Sequence, residues 1–366
     1  MKLAIVHDYL NQAGGAERVV KCFHEAFPDA PIYTSFYLPD TMPDEFKQMD
    51  IRTSFMQKLP GIKKHFKKYL ALYPSAMASL DLSGYDLILS SSSAWAKGIR
   101  KPKDSCHLCY CHSPMRFVWM YDDYVKRERF GTATRTLLPL ILKPIRWWDV
   151  RTNTGVDYFI ANSKTTAKRI MEFYGRDSDV IHPPVDTSIF KPYNSKVKDY
   201  YLIVSRLNTY KKIDLAISAF NKLNIPLYII GFGPDEERLR SIAGPNILFK
   251  GKLADDEVVK YYSECKALIL SGIEDFGLTP VEAQACGRPV IAFRSGGALE
   301  SIVESKTGVF FDEQTEASLI STVKKFETMS FESKGIRENA LRFDKEVFKK
   351  KIRDYVQTKY KEHINK

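Results

Sequence analysis

The sequence predicts an α/β protein made of two doubly wound halves. Three observations carry this expectation. Short apolar runs recur with helical patterns between them, the alternation starts again near residue 200, and Gly-bearing turns follow several of the apolar runs. The chain has 366 residues, enough for two domains of ordinary size. Hydrophobic residues make up 44% and charged residues 27%, the balance of a soluble globular protein. No apolar run reaches the ~18 residues of a membrane-spanning helix. The chain opens directly on a strand, without a signal peptide, which leads us to expect a cytoplasmic protein. A net charge of +11 and a pI near 9.1 predict an acidic partner: anionic lipid, nucleic acid or a phosphorylated substrate.

In the first half, Leu3–Val6 reads as a strand. Asn11–Arg18 follows as a turn opening a helix that runs to about Phe27. Gly14 and Gly15 let the backbone approach a ligand there, and the helix N-terminus adds positive potential. Ile32–Phe36 and Tyr85–Ser90 are further strands. Between them, Gly61–Met77 reads as one basic amphipathic helix. Ile62, Phe66, Tyr69, Leu70 and Tyr73 fall on one face, and Lys63, Lys64, Lys67 and Lys68 on the other. Such a helix is either a solvated face over a core-facing stripe or a membrane-surface element. A strand ending at Cys111 brings His112 to its carboxyl end, before a Pro break and an aromatic-rich segment reaching Tyr124. Val156–Ser163 is another strand, with Asn162 and Ser163 at its end, and Lys164–Tyr174 is helical. Pro183 and Pro184 stiffen the segment that ends this half.

Cys106, Cys109 and Cys111 lie beside His107 and His112. Structural zinc takes four ligands from two separated clusters, and Cys22, Cys265 and Cys286 supply no second pair. The segment reads as a buried strand, with free thiols as in a cytosolic protein. Asp122 and Asp123 form a bare acidic pair. No metal site and no cofactor are expected.

The second half opens on a strand, Tyr200–Val204. Arg206 and one of Lys211 and Lys212 then come out at the strand end, where guanidinium and ammonium groups could neutralise a diphosphate. Leu227–Ile230 is a strand, Gly231–Pro234 a turn, and Ile247–Leu253 carries Lys252. Ala267–Leu270 is a buried strand leading into S-G-I-E-D-F-G-L-T-P-V-E-A-Q-A-C-G, residues 271–287. Gly272 and Gly277 turn the chain, and Glu274 sits in the loop. Thr279 reads as an N-cap, with Pro280 at the first helical position, Glu282 completing a capping box and Gly287 closing the helix. A carboxylate and a helix N-terminus beyond a buried strand suggest a sugar-nucleotide site. Arg294–Glu300 is a further Gly loop, Gly308–Phe311 a short strand, and Lys345–Lys359 a basic amphipathic helix.

Glu274 and Glu282 have the E-x7-E spacing of retaining glycosyltransferases. The run E-D-F-G-L-T-P-V-E-A-Q-A-C-G-R-P-V-I-A resembles family 4 of those enzymes. The resemblance covers nearly the whole chain, from Leu3 through the C-terminal helix. It implies the GT-B fold, two Rossmann-like doubly wound domains facing across a cleft. Residues 1–185 would be the acceptor side, 186–344 the nucleotide-sugar domain, and 345–366 a helix crossing back to the first domain.

The segment Y-C-H-S-P-M-R-F-V-W resembles mannosyltransferases of bacterial surface-polysaccharide synthesis, where the matching His contacts the transferred sugar. That implies a catalytic place for His112. The resemblance assigns Glu274 to the donor sugar and Glu282 to the ribose. It assigns Arg206 and Lys211 or Lys212 to the leaving diphosphate. Lys211-Lys212 stands where the family usually has K-G, and the distance to Asp214 favours Lys211. Gly14, Gly15, Asn162, Ser163, Gly231, Lys252, Phe276, Gly277 and Leu278 complete the substrate-binding candidates. The family works without an essential metal and retains anomeric configuration, with the leaving phosphate assisting the acceptor hydroxyl. C-H-S-P-M-R and H-P-P-V-D point to GDP-mannose as donor, with UDP-linked or other hexoses open. The implied acceptor is a growing glycan of lipopolysaccharide, O-antigen or capsule, met at the inner face of the cell membrane by a peripheral protein drawn to anionic lipid.

Three rivals are weighed. A GT-B-fold sugar-nucleotide epimerase would share the scaffold, but F-G-L inside the E-x7-E run speaks for a transferase. A nucleic-acid-binding protein would suit the charge, yet the lysines are scattered and no recognised module is present. A non-catalytic sugar-nucleotide binder would have no need of Glu274, Glu282 and Arg206 together.

Overall fold

The computed structural model describes residues 1–120 and 132–365. The chain divides into two compact units, Met1–Pro184 with Glu346–Lys366, and Val185–Lys345. Asp122, Asp123 and the aromatic residues Tyr121 and Tyr124 lie outside the described residues.

The first unit is a seven-stranded parallel sheet. Its strands are β1 (Leu3–His7), β2 (Ile32–Thr34), β3 (Ile51–Thr53), β4 (Leu87–Ser92), β5 (Cys106–Cys111), β6 (Tyr158–Ala161) and β7 (Ser178–Val180). Their spatial order is β3-β2-β1-β4-β5-β6-β7. β1, β4 and β5 are buried along their whole length. Continuous burial is what a parallel strand covered on both faces requires; the apolar runs Leu3–Val6 and Leu87–Leu89 meet it directly, and the buried polar Ser90, Ser91 and His107 are hydrogen-bonded. On one face, Leu3, Ile5, Leu87, Leu89 and Leu108 pack against Val19, Val20 and Phe23 of the helix Gly15–Ala26. Phe348, Ile352 and Val356 of the C-terminal helix Lys345–Ile364 join the same cluster. On the other face, Ala4, Val6 and Ile88 meet Phe36, Tyr73, Met77 and Trp95.

Gly61–Met77 is not the single helix its pattern suggests. It is a helical turn at Ile62–His65, a 3-10 segment at Phe66–Leu72 with non-helical dihedrals at Tyr69, and a short helix at Tyr73–Ala78. Phe66, Tyr69 and Tyr73 pack on the core, where Tyr9 stacks on Phe36 and meets the tilted rings of Phe66 and Tyr73. The four lysines stay exposed, and Lys63 pairs with Asp40 at 3.1 Å.

The second unit is a six-stranded parallel sheet. It contains β8 (Tyr201–Val204), β9 (Leu227–Ile230), β10 (Ile247–Gly251), β11 (Leu268–Leu270), β12 (Val290–Phe293) and β13 (Gly308–Phe311). The order is β10-β9-β8-β11-β12-β13. Both sheets are therefore doubly wound, and each reverses its strand order next to its first strand. Between β1 and β4, and between β8 and β11, the loops at the carboxyl ends diverge and leave a crevice, the general ligand position of open α/β sheets.

Candidate active site

In the second unit the crevice lies between the loops that follow β8 and β11. The first loop carries Arg206 and Lys211, the second Glu274. The Lys211 ammonium is in direct contact with the Glu274 carboxylate, and the two side chains are 14% and 15% exposed. Tyr210 lies under the same ammonium, its ring centre 5.0 Å away. Glycine makes the approach of the two loops possible. A Cβ on Gly272 would stand 2.8 Å from Lys211 Cα and from its carbonyl oxygen. Ser271 Oγ then donates to the Lys211 carbonyl at 3.1 Å. The loop after β12 backs the glutamate loop, with Gly297 N–H donating to the Glu274 carbonyl at 2.9 Å. A Cβ on Gly296 or Gly297 would come within 2.3 Å of Glu274 or Phe276 backbone. The pair of glycines after a strand was the only sequence signal for that support.

The neighbouring lysine is placed differently. Lys212 is exposed and has φ +53°, in the left-handed region where glycine is favoured. It stands at the start of the helix Ile213–Leu223 and lines a cavity of about 480 Å³ with Asp214, Arg238 and Gln314. Arg206, two residues past β8, is exposed.

The capping box expected at Thr279 and Glu282 does not form. The helix runs Leu278–Ala285, its cap is Gly277 at φ +85°, and Thr279 lies inside the first turn. Glu282 is 5% exposed and accepts a hydrogen bond from the Tyr262 hydroxyl at 2.9 Å. A left-handed glycine can enter the helix without a side-chain cap, so the carboxylate is left for a tertiary partner. Phe276 is core, packed against Phe343 at 5.3 Å between ring centres, so only its backbone borders the loop. Leu278 packs at the edge of the same core. Gly231 and Lys252 follow β9 and β10, on the other side of β8 from Glu274. Gly231, at φ +132°, is pressed so close to the Ser205 carbonyl that a Cβ would meet it at 1.8 Å. Lys252 is exposed, over the Phe232 ring at 5.7 Å.

In the first unit, His112 follows β5 at its carboxyl end. Its Nε2 is 2.8 Å from Ser91 Oγ, at the end of β4. Asn162 Nδ2 donates to the His112 carbonyl at 2.9 Å. Ser163 caps the helix Lys164–Tyr174 by accepting from Thr166 N–H at 3.1 Å, and donates to Asn162 Oδ1 at 3.1 Å. Asn162 and Ser163 thus hold the His112 backbone from β6. Gly14 caps the helix that begins at Gly15, and its N–H donates to Glu17 at 3.0 Å. Its φ of −126° is open to any residue.

Two residues escaped the sequence reading. Asp8, just past β1, accepts four backbone N–H bonds from Ser93, Ala94, Trp95 and Ala96 at 2.6–3.0 Å and so fixes the loop after β4. His7, the last residue of β1, is buried against Ser91 and Glu17. An isolated Asp or His at a strand end carries no periodic signal.

All six cysteines are buried free thiols. Among the described residues, Cys106, Asp157 and His363 bring donor atoms within 4.8 Å of one another. Cys106 and Asp157 sit at the amino ends of β5 and β6, opposite the strand end that carries His112, and His363 reaches them from the helix Lys345–Ile364. Asp157 Oδ2 is already held by the Lys101 ammonium at 2.5 Å and the His107 N–H at 2.7 Å, which disfavours a second cation there.

Solved structures share this architecture. Anabaena HepE in complex with UDP and glucose aligns with a TM-score of 0.72 and 16% identity, over 98% of this chain and 99% of that one. Sucrose-phosphate synthase from Thermosynechococcus elongatus gives 0.76 and 17%, again over 98% and 99%. The two doubly wound sheets thus define a GT-B scaffold. Profiles for Glycosyltransferase Family 4 and Glycosyl transferases group 1 match residues 13–189 and 185–343. The chain belongs to glycosyltransferase family 4.

Its relatives include a D-inositol 3-phosphate glycosyltransferase of Acidothermus cellulolyticus, 29% identical over 43% of each chain. The human alpha-1,3/1,6-mannosyltransferase ALG2 is 26% identical over 60% of this chain and 58% of its own. A GDP-mannose-dependent alpha-(1-6)-phosphatidylinositol monomannoside mannosyltransferase of Mycolicibacterium smegmatis is 27% identical over 51% and 56%. The matched stretch spans about half the length of these relatives.

Proposed function

We propose that the protein is a retaining hexosyltransferase that moves mannose from GDP-mannose to a growing surface glycan. The observation that carries this reading is the Lys211–Glu274 contact at the strand-order reversal of the second sheet. Departure of a nucleoside diphosphate from an anomeric carbon needs positive charge where negative charge develops. In this reading Lys211 and Arg206 supply it, together with the amide groups at the start of the helix Leu278–Ala285, whose cap Gly277 packs against the Glu274 side chain. A diphosphate that takes the Lys211 ammonium releases the Glu274 carboxylate to the donor sugar, while Glu282 serves the ribose. Mannose is favoured by the segment around His112 and by two mannosyltransferases among the relatives. His112 contacts the transferred sugar in this reading. Glu274 is paired with an ammonium rather than with a second carboxylate, so cationic side chains take the place of a metal.

The acceptor in this reading is a glycan carried on lipid, reached at an anionic membrane surface. No helix of the described residues is long and apolar enough to cross a membrane. With Phe66, Tyr69 and Tyr73 turned inward, Lys63, Lys64, Lys67 and Lys68 offer charge alone. Exposed Leu140 and Trp147, flanked by Lys143 and Arg151, add an apolar contact on the helix Thr132–Arg151.

The test is transfer of mannose from GDP-mannose in EDTA, with Glu274→Ala beside the wild type. Turnover persists without metal, and Glu274→Ala lowers it by roughly 10²–10³, the scale of one preorganised polar contact to a transition state. Wild-type turnover that vanishes in EDTA and returns with magnesium, or an active Glu274→Ala protein, overturns the assignment.

A further inference from the structure

Three neighbouring strands of the first sheet end in side chains that touch in series. His7 on β1 is paired with Ser91 on β4 in the parallel ladder, and Ser92 with Cys111 on β5, one residue before His112. His7 Nδ1 lies 3.1 Å from the Ser91 carbonyl oxygen and 3.1 Å from Ser91 Oγ. A carbonyl only accepts, so Nδ1 carries a proton. With that N–H directed at both oxygens, the Ser91 hydroxyl proton turns to the other neighbour, His112 Nε2 at 2.8 Å. His7 Nε2 faces the Glu17 carboxylate at 3.9 Å, and Glu17 is itself tied to the Gly14 N–H at 3.0 Å. His7, Ser91 and Glu17 are 2%, 0% and 4% exposed, so water does not substitute for these partners. Burial by itself lowers the His7 pKa, but Glu17, Asp8 and the Ser91 carbonyl outweigh it and raise the pKa above the ordinary value, which keeps the ring a donor.

We infer that Glu17, His7 and Ser91 are positioning residues that hold His112 as a neutral imidazole protonated on Nδ1, so that it presents an N–H to a hydroxyl oxygen of the transferred sugar. Free imidazole side chains in water favour the other tautomer, so the chain of contacts imposes this one. The consequence for transfer rests on the sugar-contacting role of His112 proposed above.

The experiment uses the full chain labelled with ¹⁵N-histidine, above the ordinary histidine titration range. The His112 signals are identified by their loss in His112→Gln. In the wild type, His112 shows a protonated Nδ1 and a bare Nε2. Ser91→Ala shifts it toward the Nε2–H pattern and lowers kcat with GDP-mannose about tenfold, or about 1.4 kcal/mol, with KM for the donor nearly unchanged. Ser91→Thr, which keeps the hydroxyl, restores both. His7→Gln serves as the second variant should Ser91→Ala fail to fold. A wild-type His112 protonated on Nε2, or a pattern unmoved by Ser91→Ala and His7→Gln, overturns the inference. The tautomer is read without turnover, so a wild type that shows it but transfers no sugar refutes the functional reading and leaves this one standing.

Discussion

Replacing Glu282 by Ala removes a buried carboxylate and leaves the Tyr262 hydroxyl, on a side chain with no exposed surface, without that acceptor. A hydrogen bond to a charged group contributes about 1.5–3 kcal/mol, and a buried donor left unmade costs about 1–3 kcal/mol. Glu282→Ala is therefore expected to lose about 2–3 kcal/mol. In a unit of this size that is a fall of roughly 4–12 °C in Tm, at about 2–4 °C per kcal/mol. Tyr262→Phe removes the same bond from the other side and costs about 1–3 kcal/mol. Because both variants break one interaction, the double variant loses less than the sum, with a coupling of at least about 0.5 kcal/mol. GDP affinity separates the structural role from the ligand role. It falls about tenfold in Glu282→Ala, one hydrogen bond of about 1.4 kcal/mol, and stays near wild type in Tyr262→Phe. The assay is denaturant unfolding of the four proteins with calorimetric GDP titration of each. Additive stability losses refute the tertiary role of Glu282, and full GDP affinity in Glu282→Ala refutes its place at the ribose.

The two adjacent lysines give a second contrast. Lys211→Ala weakens GDP binding about tenfold or more, as loss of one charge-assisted contact does. Lys212→Gly leaves GDP binding intact and is neutral or mildly stabilising. The left-handed backbone costs a non-glycine residue about 1–2 kcal/mol, against about 0.5–1 kcal/mol for the extra freedom of unfolded glycine. The reverse pattern in GDP titration would transfer the diphosphate role to Lys212. A third prediction concerns acid. His107 is wholly buried between Gly155 O and Ser90 Oγ, and burial pushes its pKa down to about 4. Its folded pKa lies below the unfolded value, so its contribution is intact above about pH 6.5 and is lost as pH falls toward 4. At pH 4.5 the loss is about 2.5 kcal/mol. Urea unfolding at neutral pH and at pH 4.5 measures it, and a slope unchanged in His107→Gln would show that other groups carry the acid response.

The apolar runs Leu3–Val6, Leu87–Leu89, Tyr201–Val204 and Leu268–Leu270 already pointed to buried parallel strands, because a strand covered on both faces is built largely of apolar residues. The edge strands β3 and β7 were not legible. Ile51–Thr53 and Ser178–Val180 are three residues long and only partly buried, so they have no pattern to display. Spacing also singled out Glu274, Glu282, Arg206, His112 and the lysine pair, since strand ends and following loops are local in sequence. Two local patterns were overruled. Gly277 in a left-handed conformation took the cap from Thr279, and core packing at Tyr69 broke the amphipathic run at Gly61–Met77.

What only tertiary structure decided is which of these residues meet. Lys211 touches Glu274 across 63 positions, Tyr262 reaches Glu282 across 20, and Ser91 joins His7 across 84 and His112 across 21. The meetings depend on strand order and helix packing, and that of Lys211 with Glu274 also on Gly272, where a Cβ would collide with the Lys211 backbone. Periodicity says which way a side chain points from its own strand. It does not say which strand lies beside it, and that choice is made by the packing of the whole sheet.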